Sequence, residues 1–145
     1  MSDLIFKTTA KCETNMKTVV KARNFTIIID EPESLGGSDH GANPVEYVQA
    51  ALAGCLNVVG HIVAKEMGFE IKNMEIEIEG SLNPAKFVGK SNEERAGYKV
   101  LNVTLKVDTD ADELTLKKWV ETIETRCPVS DNITNQTEVN IKAQK

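Results

Sequence analysis

Cysteine and histidine are both scarce in this chain of 145 residues. Three cysteines are an odd number and too few for a disulfide framework. The two histidines, His40 and His61, lack metal-ligand spacing, and no CxxC or HExxH motif occurs. These absences argue against a disulfide-built scaffold and against a metal-dependent enzyme.

A net positive charge and long apolar runs are also missing. The net charge of -5 argues against nucleic acid and anionic membranes as partners. The longest apolar run, Ala50–Leu56, is far shorter than the roughly 20 residues of a membrane span. The first residues lack a basic segment followed by an apolar one, so no signal peptide is expected. We therefore predict a cytoplasmic protein, in which any disulfide is catalytic or redox-sensing.

The hydrophobic periodicity predicts an α+β fold in a single domain over residues 1–145. Neighbouring strands are expected to pair in antiparallel fashion. The predicted strands are Phe6–Cys12, Met16–Ala22, Phe25–Asp30, Met74–Glu79, Tyr98–Thr109 and Gln136–Ala143, and the two long helices are Pro44–Met67 and Ala111–Arg126.

The first of these helices has a clear local start. Asn43 fits the N-cap, Pro44 the first helical position and Glu46 the third, as in a capping box, and Gly68 fits a C-terminal stop. Between Ala50 and Gly60 only one residue is polar. A helix that is apolar nearly all round is predicted to be buried at the centre of the fold.

Cys55 lies in the middle of this apolar helix and has two interpretations. A free cysteine usually packs as a small buried hydrophobe. A reactive Cys55 needs a nearby cation, because burial raises the pKa of a thiol and the helix dipole acts only near helix ends. Arg23, in the turn after the second strand, is the preferred candidate for that cation. Arg95, in the long polar loop between the fourth and fifth strands, is its rival.

Cys127 directly follows the second long helix and precedes Pro128. It is predicted to cap a short helix starting at Pro128, where free N–H groups favour a thiolate. The alternative is a helix-ending Cys-Pro without a redox role. Glu46 has a structural explanation in the capping box and, nine residues before Cys55, lies on the opposite helix face.

Several runs of this sequence together resemble one known family. Asp30-Glu31-Pro32 and Gly36-Gly37 precede Gly41-Ala42-Asn43-Pro44-Val45-Glu46-Tyr47, which leads into Ala50-Ala51-Leu52-Ala53-Gly54-Cys55, and Cys127-Pro128-Val129-Ser130 follows far downstream. With these motifs, essentially the whole chain resembles the OsmC/Ohr family of osmotically inducible protein C and organic hydroperoxide resistance protein.

The resemblance implies an intertwined homodimer, with antiparallel sheets around long buried central helices and two active sites at the interface. It implies a thiol peroxidase that reduces organic hydroperoxides with electrons from an external dithiol, without a metal or organic cofactor. Cys55 is then the nucleophile, Cys127 the resolving thiol and Arg23 the activating cation. The apolar side chains of Leu52, Leu56 and Val59 suggest a preference for alkyl hydroperoxides over hydrogen peroxide.

One position departs from the pattern. Hydroperoxide reductases of this family carry a glutamate directly after Asn-Pro, ten residues before the first cysteine. Here Val45 stands at that position and Glu46 is the candidate acid. This departure motivates the alternative of a non-catalytic, dimeric protein that binds apolar ligands or responds to redox state.

Overall fold

Strands and helices follow one another in the order β-β-β-α-β-β-α-α along residues 1–145, all of which the computed structural model describes. They fall into two units, residues 1–50 and 51–145, and the single domain expected from the sequence stays a prediction. The elements are β1 (Thr8–Cys12), β2 (Thr18–Ala22), β3 (Phe25–Ile29), α1 (Pro44–Met67), β4 (Asn73–Ser81), β5 (Val100–Asp108), α2 (Glu113–Arg126) and α3 (Pro128–Thr134).

The first unit holds an antiparallel sheet in the order β1-β2-β3. The hydroxyl of Thr14 accepts hydrogen bonds from the N–H groups of Met16 and Lys17 and so shapes the β1–β2 turn. The β2–β3 hairpin is tight, since Ala22 pairs directly with Phe25. Arg23 in this turn has a φ of 54°, a left-handed conformation that costs an L-residue about 1–2 kcal/mol.

A buried carboxylate organises the loop between β3 and α1. Asp30 has no exposed surface, and its oxygens accept hydrogen bonds from the N–H groups of Glu31, Ser38 and His40. Burial raises the pKa of Asp30, but these three N–H donors and the nearby His40 imidazole lower it by more, so the net pKa is below its usual range. The loop is therefore held by hydrogen bonds to one buried, ionised carboxylate.

The predicted start and end of α1 are confirmed. The Asn43 N–H donates to Glu46 Oε2 at 2.7 Å, and the Glu46 N–H donates to Asn43 Oδ1 at 2.9 Å. Gly68 follows the helix with a φ of 81°, as a left-handed C-terminal residue requires. The capping box therefore fixes the first turn of the helix that carries Cys55.

Only one face of α1 is buried by its own chain. The sequence predicted a helix buried on nearly all sides, and within the single chain this holds for that face alone. The buried face comprises Leu52, Leu56, Val59, Gly60, Val63 and Ala64. The opposite apolar face, here called the α1 stripe, consists of Ala51, Gly54, Val58 and Ile62. Val58 is 56% exposed and Ile62 is 46% exposed. In the single chain, this stripe lies open to solvent.

The second unit packs a two-stranded antiparallel sheet against the helices. β4 and β5 pair along their full lengths, from Asn73 opposite Asp108 to Ser81 opposite Val100. One face of this sheet, with Met74 and Leu105 among its residues, packs on the core. At the centre of the core, the Trp119 indole Nε1–H donates to the Gly60 carbonyl oxygen at 2.8 Å. This bond joins α2 to α1.

The C-terminal part of the chain contains one wrong prediction. α2 begins after the N-cap Asp112, whose Oδ1 accepts from the Thr115 N–H, and α3 follows as expected. The predicted strand Gln136–Ala143 is absent, because this segment has no strand partner. Its two β-branched apolar residues, Val139 and Ile141, are 74% and 90% exposed and thus add no core packing.

Candidate thiol site

Cys55 lies on α1 at the border between the buried face and the α1 stripe. Its neighbours Leu52 and Leu56 belong to the buried face, whereas Gly54 belongs to the stripe. Cys55 is half-buried and packs against the core without being enclosed by it. The thiol can therefore be reached from solvent in the single chain.

Cys127 occupies the junction of α2 and α3 and is only 1% exposed. Its N–H donates to the Ile123 carbonyl oxygen at 3.0 Å, which ends α2. Its Sγ accepts a hydrogen bond from the Ser130 N–H at 3.3 Å, and Pro128 occupies the first turn of α3. The expectation that Cys127 caps a short helix is confirmed.

Side-chain contacts between α1 and α2 bring the two cysteines together. The Trp119–Gly60 hydrogen bond holds the middle of α2 on α1, and the Arg126 guanidinium forms a two-pronged ion pair with the Glu66 carboxylate at the end of α2. The next residue is Cys127, whose thiol lies close enough to Cys55 to raise the pKa of the Cys55 thiol. Residues 72 positions apart in sequence are thus neighbours, which spacing alone could not establish.

The surroundings of Cys55 within the second unit do not favour its thiolate. Burial raises the pKa of the Cys55 thiol, the Cys127 thiol beside it raises it further, and the Val129 N–H lowers it. The net pKa is above the ordinary value of a thiol. A reactive Cys55 therefore needs positive charge from outside this set of neighbours.

The predicted cations lie in different parts of the chain. Arg23 is in the β2–β3 turn of the first unit, where its guanidinium carbon lies 5.0 Å from the centroid of the Phe25 ring. Arg95 is in the loop between β4 and β5 and folds back over Gly97. The choice of Arg23 over Arg95 as the partner of Cys55 stays a prediction.

Glu46 is held by the capping box at the start of α1. Its carboxylate accepts from the Asn43 N–H, which gives it the structural role that the sequence indicated. The catalytic role that the family resemblance suggested for Glu46 stays a prediction.

An apolar groove of about 400 Å³ is lined by Leu52, Leu56 and Ser130, which lie close to the two cysteines in sequence, although neither cysteine lines it. Leu52, Leu56 and Val59 were expected to form an apolar wall; Leu52 and Leu56 line the groove, whereas Val59 does not. The other walls come from β5, α2 and α3, and the available signals were the alternation of apolar residues in β5 and the helical spacing of Val120 and Ile123 in α2. The lining residues are Leu52, Leu56, Leu101, Val103, Leu105, Val120, Ile123, Glu124, Ser130, Ile133 and Thr134.

Two general features of the chain bear on its class. No group of three or more His, Cys, Asp or Glu side chains is placed to hold a metal ion. By length and composition alone, α1 resembles a membrane span, with a mean hydropathy of 1.5 in its most apolar window, but core helices of soluble proteins meet the same criteria.

Comparison with known proteins identifies the family. The family described as OsmC-like protein matches residues 36–142, a range that includes the α1 start, Cys55 and Cys127. The chain belongs to the OsmC-like protein family. Among curated relatives, the uncharacterized protein YmaD of Bacillus subtilis is 27% identical over 129 residues, covering 86% of this chain and 81% of YmaD.

Solved structures share the OsmC-like fold. The OsmC-like protein of Mycoplasma pneumoniae has a TM-score of 0.78 at 17% identity, covering 91% of this chain and 89% of the other. The organic hydroperoxide resistance protein OhrB of Bacillus subtilis has a TM-score of 0.60 at 26% identity, covering 90% of this chain and 91% of OhrB. The α+β fold expected from the sequence is therefore confirmed.

Proposed function

We propose that this OsmC-like protein is a cytoplasmic, homodimeric thiol peroxidase that reduces organic hydroperoxides with electrons from a dithiol. The observation that carries the proposal is the proximity of a half-buried Cys55 to a buried Cys127, next to residues Leu52, Leu56 and Ser130 that line an apolar groove. The existence of an organic hydroperoxide resistance protein with the same fold supports it.

The proposed reaction uses the two thiols in sequence. The Cys55 thiolate attacks the hydroperoxide, ROOH, becomes a sulfenic acid and releases the alcohol ROH after proton uptake. The Cys127 thiol then condenses with the sulfenic acid, which forms the Cys55–Cys127 disulfide and releases water. An external dithiol finally reduces that disulfide and is itself oxidised. The groove offers apolar walls to the alkyl part of the substrate.

The identity of residue 127 supports a chemical role for its sulfur. An N-cap side chain accepts a backbone hydrogen bond, and Ser, Thr, Asp and Asn do this better than cysteine, whose sulfur is a weak acceptor. Cys127 nevertheless caps α3, through its contact with the Ser130 N–H. Capping alone does not explain a thiol at this position, whereas disulfide formation does.

Arg23 is the proposed source of the missing positive charge. The raised pKa of Cys55 creates the need for a cation. Arg23 also occupies a left-handed conformation where glycine or asparagine would be less strained. Backbone strain of this kind is concentrated at functional sites, which suggests that the guanidinium is retained for its chemistry. Glu46 contributes as a positioning residue, because its cap fixes the start of the helix that carries Cys55.

The α1 stripe is the proposed contact with the second copy of the chain. It presents Val58 and Ile62 to solvent, and an alanine side chain added at Gly54 would meet no atom within 4 Å. A glycine inside a helix costs about 0.5–1 kcal/mol relative to alanine, so an open, glycine-containing stripe is explained by the close approach of another backbone. Two α1 helices facing each other would restore the burial expected for this helix.

The second candidate function is non-catalytic binding of an apolar ligand. Val45 stands where the family's hydroperoxide reductases carry a glutamate, and the groove alone is large enough for a small apolar molecule. This candidate predicts a ligand retained in native mass spectrometry together with negligible turnover of peroxide.

Peroxide consumption tests the two candidates. Cumene hydroperoxide and hydrogen peroxide are supplied with dithiothreitol to wild type and to the Cys55→Ser, Cys127→Ser and Cys12→Ser variants. We expect faster turnover of cumene hydroperoxide, its loss in the first two variants and full activity in the third, since Cys12 is exposed on β1 and outside the pair. Background activity in wild type, with no disulfide formed by peroxide, would exclude the peroxidase.

A further inference from the structure

The two sulfurs of the site differ in accessibility within a single chain. Cys127 is 1% exposed and belongs to the core formed by α1 and α2, whereas Cys55 is half-buried. A second copy of the chain adds cover and removes none, so docking of a partner onto this structure cannot expose Cys127. Within the single chain, a thiol arriving from solvent therefore has access to Cys55 but not to Cys127.

The hydrogen bonding at Cys127 suits a departing thiolate. Its Sγ accepts from the Ser130 N–H at 3.3 Å in the reduced protein, so the sulfur regains this donor as it leaves the disulfide. A hydrogen bond to an ionised acceptor is roughly twice as strong as one to a neutral acceptor, and the N–H stabilises the sulfur most when it carries charge. Disulfide exchange is faster when the leaving sulfur is the better-stabilised thiolate.

We propose that the reducing dithiol attacks the Cys55 sulfur of the oxidised protein and expels Cys127 as the thiolate held by the Ser130 N–H. The inference rests on the proposed function and specifies its reductive half. One thiolate of the dithiol forms a bond to Cys55 Sγ, while the Cys55–Cys127 bond breaks and its electron pair leaves with Cys127. The second thiol of the reductant then attacks the mixed disulfide, which releases Cys55 as a thiolate and closes the oxidised reductant. Two electrons pass from the dithiol to the protein.

The regiochemistry has a consequence for the reductant. The mixed disulfide forms on the same cysteine that reacts with peroxide, so reductant and substrate approach the same sulfur in turn. A monothiol needs a second molecule to release Cys55 from the mixed disulfide, whereas a dithiol releases it intramolecularly. The site is therefore reduced faster by a dithiol than by a monothiol of the same reactivity.

The site of attack can be mapped on the intact protein. The Cys12→Ser variant is oxidised with diamide, which forms disulfides without peroxidase activity. It is then treated with 2-mercaptoethanol in the presence of iodoacetamide to capture the released thiol. Trypsin separates the two cysteines, with Cys55 in the peptide 24–65 and Cys127 in the peptide 127–142. Mass spectrometry then locates the mercaptoethanol adduct in molecules that carry one.

We expect molecules with the adduct on Cys55 and the carbamidomethyl group on Cys127 to exceed the reverse pattern by about tenfold or more. Attack at Cys127 requires local opening of the structure, and an opening free energy of about 1.4 kcal/mol slows that attack tenfold. An adduct divided equally, or found mainly on Cys127, would overturn the inference, as would the absence of a Cys55–Cys127 disulfide after diamide. A diamide-formed disulfide attacked at Cys55, together with no peroxide turnover, would support this inference and refute the peroxidase alone.

Discussion

Gly54 and Gly60 lie on opposite faces of α1, and replacing each by alanine tests the proposed dimer contact. A side chain at Gly60 would have its Cβ 3.1 Å from Trp119 Cζ2 and 3.5 Å from Met74 Cε, inside the core of its own chain. A side chain at Gly54 would meet nothing within 4 Å in the single chain. The two substitutions make the same change to the helix backbone in different surroundings.

The expected magnitudes follow from these contacts. Alanine in a helix interior is favoured over glycine by about 0.5–1 kcal/mol. At Gly60 this gain is offset by overpacking against Trp119, which costs about 1–3 kcal/mol, so Gly60→Ala lowers the free energy of unfolding by about 0–2.5 kcal/mol. At Gly54 a lone chain would gain the full 0.5–1 kcal/mol. If two stripes face each other, Gly54→Ala instead weakens the dimer, and Gly54→Leu disrupts it.

Sedimentation velocity over a range of protein concentrations measures the dimer, and thermal unfolding measures stability. We expect wild type and the Gly60→Ala variant to be dimeric. The dissociation constant of the dimer should rise from wild type to Gly54→Ala and again to Gly54→Leu. A dimeric Gly54→Leu with an unchanged dissociation constant and a raised melting temperature would refute the assignment of this stripe. The same assays on Val58→Asp provide an independent disruption of the stripe.

Three further predictions concern single residues. Arg23→Gly should abolish peroxide turnover while raising hairpin stability by about 1 kcal/mol in thermal unfolding, because it relieves the left-handed strain; unchanged turnover would show that Arg23 is not the activating cation. Asp30→Asn should lower the melting temperature at neutral pH, and its deficit should shrink as the pH falls through the lowered pKa of Asp30, because the carboxylate stabilises only when ionised. A constant deficit from pH 7 to pH 3 would contradict this account. Cys127→Ser should unfold within about 0.5 kcal/mol of wild type although it is inactive, since serine is a good N-cap; a loss of several kcal/mol would point to a packing role for the thiol.

Local chemistry explains which parts of the structure could be predicted from the sequence. The capping box of Asn43 and Glu46 and the Cys127 cap depend on residues within three positions of each other. Their hydrogen bonds form in almost any tertiary setting. The antiparallel pairs β1–β2 and β2–β3 were equally accessible, because alternation and short turns fix them locally.

Features that depend on distant partners were not predictable. The segment Gln136–Ala143 alternates like a strand, but no neighbouring strand pairs with it. The groove needs walls from β5, α2 and α3, so no local pattern could define it or show that Val59 is left out. The loop organised by Asp30 depends on three N–H groups that converge on one carboxylate only after folding.

The hydrogen bond between the Ser130 N–H and the Cys127 sulfur depends on the oxidation state of the two cysteines. The helix α3 has only seven residues and is too short to be stable without its cap and its packing. In the reduced protein the Ser130 amide is protected by the Cys127 sulfur. A disulfide to Cys55 commits that sulfur to another direction, and we expect the Ser130 amide to exchange with solvent faster once it forms. Hydrogen–deuterium exchange at this one amide would thus distinguish the reduced from the oxidised protein without chemical modification of either cysteine.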